Sequence, residues 1–310
     1  MNDVTTFPEK YKPSFHGHET FPLRYGWLEK GHHIVENRGE HTFVSDAGIE
    51  TAIADLGVGR NMVKAIRHWG IAAGFFELND GILKNSETSK TLLDSENGKD
   101  PYLESMTSLW KIHYEMVKSP KNTLLHWMFN YFNETVFDKS LMFNRLMEFM
   151  DKNEMPVSDK KADTIHKDIT VALATYCPKK NTAQKDDDIS SPLAELNLIK
   201  LSEDNRYSFN LGEKRTLENK LIVSCLIDFW ETKSAGSKQI LKFENALHDP
   251  NSPGRIFLMS ETDLSERLSK IEEITNGAVS WSETAGIQQL SIRPRANKSD
   301  LLCLWEECLS

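Results

Sequence analysis

The 310-residue sequence has little cysteine, no long apolar run and no excess of positive charge. Its four cysteines, Cys177, Cys225, Cys303 and Cys308, never fall at the C-x-x-C spacing of a zinc or redox centre. Scattered thiols in a chain this long suit a reducing compartment. No stretch approaches the ~18 consecutive apolar residues of a membrane span. The longest candidate, Leu221 to Trp230, is broken by Ser224 and Asp228. The first residues, Met1 to Thr6, lack the basic-then-apolar layout of a secretory signal. A cytoplasmic protein with no membrane partner is expected. Acidic residues outnumber basic ones, 46 against 37, which excludes nucleic-acid binding through overall positive charge. Any DNA contact must come from a local basic patch. Walker loops, GxGxxG fingerprints, GxSxG elbows and HExxH helices are also missing, so no nucleotide cofactor is expected.

What is present is an ordinary globular composition, 39% hydrophobic and 27% charged, over roughly two domains' length. The expected fold class is mainly α with small β-hairpins (α+β): one or two winged helix-turn-helix units plus a helical C-terminal domain. Residues 1–44, rich in His, Gly and aromatics, read as strand and loop. Residues 45–135 read as a first winged-helix domain with following helices. Residues 136–212 repeat that plan less cleanly, and 213–310 read as helical with a small hairpin. The loop His248 to Arg255, with two prolines and a glycine, reads as a rigid surface loop.

The first winged unit is the best defined. Ser45 or Asp46 caps a helix with apolar Ile49, Ala52, Ile53 and Leu56 at helical spacing. Gly57-Val58-Gly59 makes a tight turn, a second helix runs from Arg60 to Ala73, and Asn79-Asp80-Gly81 turns a hairpin. That is the order of a winged helix-turn-helix. Arg60, Lys64 and Arg67 share one face of the second helix, flanked by Asn61 and His68, and no acidic residue falls between Arg60 and Ile71. Such a face suits phosphates and base edges; the bland alternative is a solvated surface helix. In the second unit, Lys160 and Lys167 lie on a face of mixed sign, where protein contact competes with DNA contact. Arg255 is a further candidate DNA contact.

Chemistry concentrates in Phe15-His16-Gly17-His18-Glu19-Thr20-Phe21. His18, Glu19 and nearby Arg24 are the types needed for a general base, a metal ligand and a phosphate clamp. Three nuclease templates match weakly. His16-Gly17-His18 has His-x-His spacing with glycine where a bulky apolar residue is usual. His33, Asn37 and His41 are too close for an HNH site. Glu231-Thr232-Lys233 ends a helix, not a strand. The alternative is that His18 and Glu19 hold a turn together by hydrogen bonds.

Two longer segments, Phe15 to Leu28 and Leu56 to Trp69, resemble those of a family found beside bacterial DNA phosphorothioation genes, the SspB-type proteins. Shorter matches are Asp100-Pro101-Tyr102-Leu103-Glu104, Ser252-Pro253-Gly254-Arg255 and Glu283-Thr284-Ala285-Gly286. In that family Gly17, His18 and Glu19 belong to the motif, whereas the position of His16 is often a small residue. The resemblance implies a DNA nickase that opens one strand of double-stranded DNA for sulfur incorporation in phage defence. It implies as partners a cysteine desulfurase, an ATP-pyrophosphatase-like sulfur-transfer protein and an ATPase. A divalent metal, Mg or Mn, held at His18 and Glu19 would fit that role. The rival readings are a non-enzymatic winged-helix adaptor that recruits these partners and a winged-helix transcription regulator.

Overall fold

The computed structural model describes residues 12–39, 41–155, 157, 159–178, 191–234, 239–284, 286–294 and 296–309. Among them it is mainly helical, with three small antiparallel sheets. None of these helices is long and apolar enough to cross a membrane. The described residues divide into two compact units, a larger one within 12–128 and 132–209 and a smaller one within 129–131 and 210–309. Of the first three expected segments, residues 12–128 and 132–209 fall in the larger unit.

Residues 27–38 are not strand and loop but a helix, α1 (Trp27–Arg38). Gly31, His32 and His33 are weak helix formers, so local propensity hides it. Packing of Trp27, Leu28, Ile34 and Val35 decides the matter, each large side chain contributing about 1.5–3 kcal/mol on burial. Gly31 is required there, because a Cβ would come within 2.8 Å of the Phe76 ring.

The next elements follow the sequence closely. In α2 (Asp46–Leu56), the Ser45 hydroxyl accepts the Gly48 N–H, and Gly57 ends the helix in the left-handed conformation. α3 (Arg60–Ala72) buries Val63, Ile66 and Trp69. β1 (Phe76–Asn79) and β2 (Ile82–Asn85) pair through a two-residue turn at Asp80 and Gly81, both with positive φ. That is the turn whose twist matches a hairpin.

Helices α4 (Glu87–Leu93), α5 (Met106–Lys118) and α6 (Thr123–Asn130) follow. On α5, Leu109, Trp110, Ile112, Tyr114, Met116 and Val117 are all buried. Beyond β3 (Val136–Phe137) come α7 (Lys139–Lys152) and α8 (Asp159–Tyr176), which pack together. A single 3-10 turn, Pro192–Leu196, leads to β4 (Ile199–Leu201) and β5 (Tyr207–Phe209), in the order β3-β5-β4.

The smaller unit contains α9 (Asn219–Ser234), β6 (Ile240–Lys242), α10 (Phe243–His248), α11 (Pro253–Ile256), α12 (Glu261–Leu268), α13 (Ile271–Ile274), β7 (Val279–Thr284), β8 (Ile287–Ile292) and α14 (Lys298–Leu302). Part of the segment read as helical, from Ile240 to His248, is instead strand then helix, because β6 alternates exposed and buried side chains and pairs with β8. From Glu261 to Ile274 the chain forms two short helices, broken at Ser269 and Lys270. The 248–255 segment is not a surface loop either. Ser252 and Pro253 are buried, and the Ser252 hydroxyl caps α11.

Candidate functional site

The segment from Ser14 to Phe21 holds three non-glycine residues at positive φ: His16 (74°), Glu19 (48°) and Thr20 (68°). For a β-branched threonine this is an outlier, and such residues persist only where the surroundings over-determine them. Here three helices do so. The backbone N–H of Ser14 donates to Thr123 Oγ1 on α6 (2.9 Å), and that of His16 to Asp168 Oδ2 on α8 (2.9 Å). Trp69 Nε1 on α3 donates to the Phe21 carbonyl (3.0 Å), and Glu19 pairs with Lys64 of α3 at 3.3 Å. Gly17 lies so close to α3 that a Cβ would stand 2.3 Å from His68 Nδ1. The two long motifs of the sequence therefore meet in space.

His18 sits at the centre, only 6% exposed. Its Nδ1 accepts the Thr20 N–H at 3.1 Å, which places the ring proton on Nε2. Nε2 faces Asp168 Oδ1 at 3.1 Å, an ion-pair distance but off the angle of a good hydrogen bond. The buried Oδ1 thus keeps lone pairs unused. The imidazole stacks on Trp69 (6.0 Å, 17°) and meets His68 edge-on (5.7 Å, 80°). His68 keeps an exposed edge, yet its surroundings are those of an interior group. Burial first, then His18 and Arg67, push its pKa down to about 3, so it is neutral.

A pocket of about 40 Å³ lies beside Asp168, lined by His16, His18, His68, Trp69, Lys121 and Thr123 among others. A water needs roughly 10–15 Å³ in this measure and two or more polar partners. Both conditions are met, and His16 and Lys121 are exposed. A wider groove of about 430 Å³ is lined by Thr20, Asp163, His166, Lys167, Thr170 and Val171.

The expected site residues are thus dispersed. His18 lines the pocket, but Glu19 turns to Lys64, and Arg24 lies over the rings of Phe21 and Trp27 at 5.6 and 5.5 Å. Arg60 and Asn61 are exposed at the start of α3, Arg60 being paired with Asp46 and Glu50. Arg67, expected to be exposed with Arg60 and Lys64, is half-buried and donates to the Phe43 carbonyl at 2.9 Å. The turn of the helix carries it and neutral His68 toward the protein. Lys167 is exposed on the wider groove, and the side chain of Lys160 lies outside the described ones. Arg255, in the smaller unit, is turned to the Asn130 carbonyl at 2.9 Å, and burial lowers its pKa.

A divalent metal on His18 and Glu19 does not fit this geometry. Nδ1 of His18 is taken by the Thr20 N–H, Nε2 faces Asp168 and not Glu19, and Glu19 is held by Lys64. Sequence reasoning missed Asp168 and Lys121. A signal for Asp168 existed: it falls on the inward stripe Ile165, Ile169 and Ala172 of α8, where an acid is out of place.

A family described as a protein of unknown function (DUF4007) matches residues 15–307. Two solved structures are similar in fold. One, described as a magnesium ion-bound SspB crystal structure, has a TM-score of 0.81 at 23% identity and covers 100% of this chain and 91% of its own. The other, described as an SspB crystal structure, has a TM-score of 0.80 at 24% identity, with 99% and 90% covered. No curated protein matches the chain.

Proposed function

The chain belongs to the DUF4007 family, and we propose that it is the DNA-acting component of a bacterial DNA phosphorothioate-modification system, opening one strand of a duplex for sulfur incorporation. The observation that carries this reading is the convergence of both motif segments on one strained loop around a polar pocket. Its partners would be the cysteine desulfurase, the ATP-pyrophosphatase-like sulfur-transfer protein and the ATPase that such a system uses.

Docking would fall to α2, α3 and the β1–β2 hairpin, in the order of a winged helix-turn-helix. Arg60 and Asn61 stand exposed at the amino end of α3, and Lys64 is 35% exposed beside them. The carboxylate partners of Arg60 are no obstacle. Exposed ion pairs contribute about 0–1 kcal/mol, so phosphates displace them readily. In the pocket, Asp168 Oδ1 would take the proton of an attacking water beside the Nε2–H of His18. Lys121 and His16 would meet the charge on the phosphate at the rim.

A second reading, the non-enzymatic adaptor, is favoured by one observation: Nδ1 of His18 accepts the Thr20 N–H and its Nε2 faces the buried Asp168, as in a structural clasp. Nicking of supercoiled plasmid by Asp168→Asn separates the two. Asparagine keeps an acceptor for the His16 N–H, so the fold and duplex affinity should stay near wild type. Loss of nicking by about 100-fold or more supports catalysis, the usual scale of a general base. Unchanged nicking removes Asp168 from the chemistry, and absence of nicking in the wild type leaves the adaptor.

A further inference from the structure

On α1, among side chains that do not line the pocket around His18, three form a cluster that the proposed reaction does not use. We propose that His32, His33 and Glu36 bind a first-row transition-metal ion of the zinc class, with water completing its shell. The donor atoms of the three lie within 4.8 Å of one another. His32 Nε2 is 3.9 Å from Glu36 Oε1, and His33 Nδ1 is 3.5 Å from Glu36 Oε2. A tetrahedral ion with bonds near 2.0 Å sets its ligands about 3.3 Å apart. Small rotations of His33 and Glu36, each 33% exposed, close that difference and leave the ion a route in.

The decisive atom is His32 Nε2. The residue is 0% exposed, and this nitrogen has no hydrogen-bond partner. Buried polar atoms are seldom left so, because the desolvation of the atom is then not offset by any partner. Ordinary helix-surface His–Glu pairs carry no such buried nitrogen. The other ring nitrogen, Nδ1, lies 2.7 Å from Ser89 Oγ on α4. When Nδ1–H donates there, Nε2 presents its lone pair toward His33 and Glu36. Metal-bound histidines use this arrangement, one nitrogen on the ion and the other hydrogen-bonded behind it. Burial also lowers the pKa of His32, with Glu36 opposing, which favours the neutral ring that a metal needs.

Two imidazoles and one carboxylate suit zinc, manganese or ferrous iron, and zinc heads these in affinity for such donors. They suit magnesium poorly, since it takes oxygen ligands. The site rests on no part of the nicking reading and stands or falls apart from it.

The test is calorimetric titration of the full chain with zinc alone, after EDTA stripping and alkylation of the thiols. The comparison is with the double variant His33→Ala/Glu36→Gln, whose altered side chains are partly exposed and leave the core intact. Wild type should bind one equivalent that the variant loses or holds on the order of 100-fold more weakly. Zinc should also raise the melting temperature of the wild type alone, and millimolar magnesium should not displace it. Equal stoichiometry and affinity in the two proteins, or no zinc binding by the wild type, overturns the proposal.

Discussion

Histidine is divided unequally between the two units: nine of the ten lie in the larger one and only His248 in the smaller. In the larger unit His18, His32, His113 and His126 are buried against Asp168, Ser89, Tyr176 and the Val117 carbonyl. The smaller unit buries cations of another kind. Lys214 donates to the carbonyls of Asn210 and Gly212, and Arg267 ties Asp263 to the Lys214 and Leu217 carbonyls. In water an imidazole changes charge near neutral pH, whereas an ammonium or a guanidinium does not. Four of the five buried side-chain atoms without a hydrogen bond among the described residues, on His32, Asn85, Asp168 and Ser191, also fall in the larger unit. Among the described residues, the buried histidines and most of the unpaired buried polar atoms thus lie in one unit, while the other uses its polar groups to tie loops to helices.

The largest effect expected to sharpen this contrast is that of acid. Burial lowers the pKa of His68 to about 3 and of His126 to about 4. Unfolded chains bind these protons near the ordinary histidine value of about 6.5. Stability contributed at neutral pH is therefore lost as pH falls from there toward those values. At pH 5 against pH 8 the two groups together should cost the larger unit on the order of 4 kcal/mol. Hydrogen exchange resolved by peptide measures it, and an equal loss in the smaller unit would break the comparison.

Next comes Gly254→Ala in the smaller unit. A Cβ there would meet the Leu247 Cα and carbonyl at 2.6 Å, backbone that cannot rotate away. A loss of about 3 kcal/mol is expected, read as faster exchange in peptides of 210–310 with those of 12–128 unchanged. Gly17→Ala in the larger unit should cost less, about 1 kcal/mol, because its obstacle is the His68 side chain, which can turn. Urea melts of Gly17→Ala with and without His68→Ala test this, since removing the ring should restore part of the loss. Arg60→Ala should be the smallest, under about 0.5 kcal/mol, since its ion pairs are exposed. The same variant should flatten the salt dependence of duplex binding by about one unit of slope if Arg60 meets a phosphate.

Much of the fold was legible where local rules act alone. The Ser45 cap, the Gly57 terminator and the Asp80-Gly81 turn each carry their conformation in their own chemistry, and α2, α3 and the hairpin lie where the pattern puts them. Legibility failed where distant partners decide. The α1 helix runs through two histidines and a glycine, and its reason for being helical is the packing of its apolar face. Strand β6 exists because β8 pairs with it. Of the candidate site, His18 could be picked out by its neighbours in sequence, but Asp168 lies 150 residues further along.

The sequence by itself determined the helical class, the absence of a zinc ribbon or nucleotide loop, and the two motif segments, because these depend on residue type and spacing within a few turns. Only the tertiary structure decided what the motif residues do. It turned Arg67 to the Phe43 carbonyl, gave Glu19 to Lys64 and set His18 between Thr20 and Asp168. It also left His32 Nε2 facing a histidine and a glutamate without a hydrogen bond. The reason is physical: the role of a polar side chain depends on what surrounds it after burial, and those surroundings come from segments that lie far apart in the chain.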